Sequence, residues 1–117
     1  MHSLNEFTID VDTLQAVRVF FDHLKGIYPV RRTVLFGSRA RGVFQSDSDA
    51  DVAVFLDGPP GRFVETKLAL ADIAYDVLLE TGIRIQPLPI WEEEWAHPET
   101  YPNPRLLQNI EREGLAL

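Results

Sequence analysis

Gly37-Ser38-Arg39-Ala40-Arg41-Gly42-Val43-Phe44-Gln45-Ser46-Asp47-Ser48-Asp49-Ala50-Asp51 is the stretch on which the fold turns. It joins two apolar runs. Val30 to Phe36, entered through Pro29, ends at the Gly-Ser pair, and Val52-Ala53-Val54-Phe55-Leu56 follows the last aspartate. Both runs read as strands, the second starting at Ala50. Between them, Gly37 to Asp49 reads as a turn holding one short helix. This order would bring phosphate-holding backbone and metal-holding carboxylates to one end of one sheet.

Working outward, Asp10 or Asp12 can cap a first helix with Leu14, Val17, Phe21 and Leu24 on one face and Gly26 as the stop. Asp57-Gly58-Pro59-Pro60-Gly61 is a loop. Arg62 to Thr81 reads as a long helix, with Phe63, Leu70, Ile73, Ala74 and Val77 near helical spacing and Gly82 at its end. Ile83 to Ile90 is a third strand, which Pro87 and Pro89 shorten or confine to a sheet edge. Trp91 to Trp95 forms one or two helical turns, and Ala96 to Pro102 a loop. Asn103 and Pro104 open a last helix, carried by Leu106, Leu107 and Ile110 toward Gly114. The order predicts an α+β (α/β-like) architecture on a small sheet of three or four strands, as one domain over residues 1–117.

Composition bounds the function. A chain of 117 residues with 45% hydrophobic and 25% charged residues is ordinary for a globular domain. It has no cysteine, which excludes disulfides and thiolate metal sites. Met1-His2-Ser3-Leu4-Asn5-Glu6 lacks the basic and apolar regions of a signal peptide, and no apolar run approaches the ~18 residues of a membrane span. The expected location is the cytoplasm. A net charge of −7 disfavours non-specific nucleic-acid binding, which works by neutralising phosphates with basic side chains. A small anion held with metal, or a basic protein partner, remains compatible.

Asp49 and Asp51 are the candidate metal ligands. Residues two apart in a strand project to one face, and two adjacent carboxylates repel unless a cation lies between them. Oxygen-only ligands of this kind suit Mg²⁺, which keeps water and substrate phosphate in its shell. Asp47 could add charge nearby. Gly37 lets backbone approach a ligand, and the amides that follow, with the Ser38 hydroxyl, can point at phosphate oxygens. Arg39 and Arg41 could pair with phosphate or with the aspartates. Each feature alone has a plain structural reading: a solvated strand start, a strand-exit turn, surface arginines.

Together, a strand, Gly-Ser, ten residues, Asp-x-Asp and a second strand resemble the signature of the DNA polymerase beta-type nucleotidyltransferase superfamily. The short chain and its G-S-R-A-R-G form are similar to the minimal nucleotidyltransferases of prokaryotes. The ending Asn103-Pro104-Arg105-Leu106-Leu107-Gln108-Asn109-Ile110-Glu111-Arg112-Glu113-Gly114 also looks like this group, so the likeness runs from Val30 onward. It implies a nucleotidyltransferase fold with a small mixed sheet. It implies ATP as substrate, Mg²⁺ as cofactor, triphosphate held by Gly37, Ser38, Arg39 and Arg41, and metal held by Asp49 and Asp51. It further implies AMP transfer to a hydroxyl, such as a tyrosine, of a HEPN-type toxin for which the chain is the antitoxin.

The third strand departs from that pattern. The superfamily usually supplies a third carboxylate there, as metal ligand and base for the acceptor hydroxyl. Here Arg84 and Gln86 occupy the face where the acid would stand. A neighbour such as Asp47, or the partner, could supply the group; otherwise the chain binds nucleotide and turns it over weakly or not at all. His2, His23 and His97 have no metal-ligand spacing and read as structural or surface residues. Trp91 and Trp95 share a helical face suited to core packing. Tyr28, Tyr75 and Tyr101 could each accept AMP.

Overall fold

The computed structural model describes residues 1–3 and 9–117. In chain order the elements are β1 (His2–Ser3), α1 (Val11–Leu24), β2 (Val30–Phe36), α2 (Gly37–Arg41), β3 (Ala50–Leu56), α3 (Phe63–Thr81), β4 (Ile85–Trp91), α4 (Glu92–Ala96), α5 (Pro104–Glu113) and β5 (Leu115–Ala116), with a 3-10 turn at Pro98–Thr100 before α5. The sheet order is β1-β5-β2-β3-β4. β2 and β3 are antiparallel, while β3 and β4 are parallel across the α3 crossover, so the sheet is mixed. The three long strands are those expected. Two-residue strands from the chain ends extend the sheet past β2.

Strand alternation sorts the core into two layers. On one face Leu35, Ala50, Val52, Val54 and Leu56 pack against α1 and α3 through Val17, Phe20, Leu70 and Val77. On the other, Val34, Ala53, Phe55, Leu88 and Ile90 pack against Tyr101, Leu107 and Ile110. Arg32 lies over the Phe55 ring, 4.2 Å from its centroid, and Trp95 meets that ring edge-on at 5.0 Å.

Local chemistry sets the helix ends. The Asp10 carboxylate accepts from the Thr13 amide at 3.2 Å and from its hydroxyl. Asn103 caps α5 by accepting from the Leu106 amide, with Pro104 in the first turn. Gly82 ends α3 with φ of 79°. As the prolines require, β4 lies at the sheet edge, with Val52 opposite Pro87 and Val54 opposite Pro89.

Four local readings need correction. The buried line of α1 is Thr13, Ala16, Val17, Phe20 and Leu24, so Phe21 and Leu14 fall at its margin. The α1 helix closes at Lys25, whose amide bonds to the Phe21 carbonyl at 3.0 Å, and Gly26 does not act as its stop. Phe63 is exposed at the start of α3, where the helix has not yet reached the sheet. Trp91 is the last residue of β4 and enters the α1–α3 layer, while Trp95 packs on the α5 layer, so they share no helical face.

Candidate active site

The site forms where β2 ends and β3 begins. Phe36 pairs in register with Asp51, so the residue that follows, Gly37, crosses directly over the aspartate. Gly37 has φ of 76°, and a Cβ added there would overlap Asp51 Oδ2. Glycine is therefore needed twice, for the left-handed backbone and for the close approach of the carboxylate. α2 then runs for one turn and ends at Gly42, also left-handed with φ of 75°.

Asp51 lies on the α5 face of β3, the parity of Ala53 and Phe55, and Asp49 stands in the loop one residue before the strand. Partial burial, and then the charge of Asp49, push the Asp51 carboxyl above its ordinary value; Arg41 pulls it back and Glu113 adds to the rise. Gln86, opposite Asp51 in the parallel register, donates its amide to Asp49 Oδ2 at 3.2 Å. Gln86 thus stands on the face where a third acid was sought. Among the described residues no three His, Cys, Asp or Glu side chains converge on a metal-sized site, and Asp47 joins no such group. Arg84 precedes β4, and its carbonyl accepts from the Ala50 amide at 2.9 Å.

The two arginines of α2 have opposite fates. Arg39 is 3% exposed. Its Nη1 donates to Thr13 Oγ1 at 2.8 Å, its Nε to the Ser48 carbonyl at 2.9 Å and its Nη2 to the Ser46 carbonyl at 3.1 Å. The Phe44 ring lies 4.5 Å from the guanidinium carbon. Three of its five N–H donors are thus engaged inside the protein, which gives Arg39 a supporting role beside the nucleotide contact expected of it. It fixes the loop that delivers Asp49. Arg41 is half-exposed, and its Nη1 donates to both oxygens of Glu113 at 3.1 and 3.3 Å.

Glu113 is the site residue that sequence reasoning missed. It ends α5, far along the chain from Asp51, and only the return of β5 onto β2 brings it to α2. The tyrosines differ in access: Tyr101 is buried, Tyr28 half-buried and Tyr75 exposed. His23 Nε2 meets Glu80 Oε1 at 2.8 Å and ties α1 to α3, in keeping with its structural reading. A cleft of about 330 Å³ between α1 and β2, lined in part by Leu14, Arg18, Phe21 and Arg31, includes none of the candidate site residues.

A carboxylate pair against a glycine bend, at one end of a mixed sheet, suits phosphoryl-group chemistry assisted by a hard cation. The profile of the family described as "Nucleotidyltransferase domain" matches residues 17–116, and the chain belongs to that family. Nucleotidyl transfer is the activity this domain supports. A solved structure of a candidate nucleotidyltransferase from Sulfolobus solfataricus is similar, at 18% identity and a TM-score of 0.49, over 75% of this chain and 81% of that one. No curated protein matches the chain. Among the described residues no helix is long and apolar enough to cross a membrane.

Proposed function

We propose that the chain transfers AMP from ATP, with Mg²⁺, to a hydroxyl of a protein partner, as the antitoxin of a HEPN-type toxin. The observation that carries this reading is the contact of Asp51 with Gly37, which joins the acidic pair and the phosphate-binding bend in one place. The donor set fits one hard cation. Two carboxylates stand two residues apart at the start of β3; partial burial first, and the charge of Asp49 second, raise the Asp51 pKa, and a bound cation would relieve the second of these. When bound there, Mg²⁺ would offset phosphate charge in an in-line displacement.

The chain's own residues do the rest. Asp49 and Asp51 would hold the cation. The backbone after Gly37, with the Ser38 hydroxyl, would bind and orient the triphosphate. Arg41 keeps donors for an anion, since Glu113 engages only Nη1 among the described contacts. Arg39 holds the Ser46 and Ser48 carbonyls, and so keeps Asp49 in line with Asp51.

A second reading, nucleotide binding with little or no turnover, is favoured by Gln86. An amide that donates to Asp49 can neither ligate a metal as a carboxylate does nor take a proton from the acceptor hydroxyl. In that case the chain would act by occupying its partner. Val64, Leu68, Tyr75 and Leu79 form an exposed apolar stripe on α3, and Glu65, Asp72 and Asp76 border it. Such a face suits a basic protein partner.

Calorimetric titration with ATP and Mg²⁺, followed by transfer of labelled AMP to the toxin, separates the two. Transfer that is abolished by the Asp49→Asn/Asp51→Asn double variant, with complex formation intact, is the expected result. Binding without transfer selects the second reading, and absence of both removes the nucleotide account.

A further inference from the structure

The Arg41–Glu113 pair lies beside the acidic pair, and nothing in the proposed chemistry requires an acid there. Three facts fix its geometry. Arg41 is one helical turn on from Gly37, and so shares the side of α2 that touches Asp51. Glu113 receives Arg41 Nη1 on both carboxylate oxygens and is itself largely buried, with 22% of its side chain exposed. Its backbone is anchored: a Cβ on Gly114 would come within 2.5 Å of the Ile110 carbonyl and 2.6 Å of Val34 Cγ1, and β5 pairs with β2 immediately afterwards. The acid therefore stands on a fixed platform, while the arginine stands on a helix of five residues.

We propose that Glu113 is a positioning residue that holds the Arg41 guanidinium off the Asp49–Asp51 pair, keeping the pair open for a divalent cation. The inference rests on the metal-binding reading of that pair. Without Glu113, the long cationic side chain of Arg41 is left beside two carboxylates with no cation between them. A guanidinium matches carboxylate geometry and would settle there as a competing counter-ion. Glu113 thus answers a problem that the sequence creates by placing an arginine ten residues before an acidic ligand. It also leaves Arg41 with donors free to meet phosphate.

The test reads metal affinity rather than turnover. Mn²⁺ alone is titrated into the full chain, and the free ion is followed by its electron paramagnetic resonance signal. Glu113→Gln should weaken binding about five- to tenfold, Arg41→Gln should bind at least as well as wild type, and the double variant should lie within about twofold of Arg41→Gln. Glu113→Asp keeps the charge but withdraws it by one methylene. It should weaken binding about two- to threefold with Arg41 present and leave it unchanged in the Arg41→Gln background, which keeps the test open if Glu113→Gln does not fold. An effect of Glu113→Gln that is as large without Arg41 as with it shows that Glu113 acts through its own charge, and overturns the proposal. So does the absence of any effect of Glu113→Gln on wild-type binding. If the wild type takes no Mn²⁺, the metal reading fails and this one with it; an additive cycle on a wild type that binds removes only the role of Glu113.

Discussion

The two faces of β3 come from one seven-residue strand and do different work. On one face Ala50, Val52, Val54 and Leu56 are buried along the whole strand by α1 and α3. On the other, burial is complete at Ala53 and Phe55 but stops at Asp51, which α5 does not fully cover. The difference teaches where a site can arise. A layer that covers a sheet end to end gives only stability; a layer that stops one residue pair short leaves polar groups half-desolvated and reachable. Asp51 lies in that gap, and its raised pKa records the partial cover.

The comparison can be broken most forcefully at Phe55. Its replacement by alanine removes a fully buried ring together with its contacts to Trp95 and Arg32, and should cost about 3–5 kcal/mol in urea denaturation. A loss below about 1 kcal/mol would mean that the α5 layer is not a core at all. Gly37→Ala comes next. It sets a Cβ against Asp51 in a backbone conformation with φ of 76°, and should cost about 1–3 kcal/mol and abolish ATP binding. Unchanged binding would separate the bend from the acidic pair.

The smallest effect has the opposite sign. Because folding raises the Asp51 pKa, the stability linked to this group is full below the ordinary value of 3.8 and is lost as pH rises through the raised one. Ionised Asp51 therefore costs stability at pH 7. Asp51→Asn should raise the melting temperature there by about 2 °C, small because the side chain is half-exposed, and the gain should vanish as pH falls toward 3.8. A gain that persists in acid would point to packing rather than charge.

What the sequence made legible was local. β2, α2 and β3 follow from apolar runs and turn chemistry, and the face that Asp51 takes on β3 follows from alternation. The edge position of β4 was written in two prolines. What it hid depended on distant chain. Arg39 reads as a surface arginine until α1 brings Thr13 to it from 26 positions earlier. Trp91 and Trp95 have helical spacing, yet β4 runs through Trp91 and sends the two rings to opposite layers. Two-residue strands carry no period to detect, so β5, and with it the placement of Glu113, could not be foreseen.

The rim formed by β4 has a further consequence. Its two prolines remove backbone donors at alternate rungs, so an extended peptide drifting past finds an interrupted ladder. Fibril growth from that side would begin with rungs already missing.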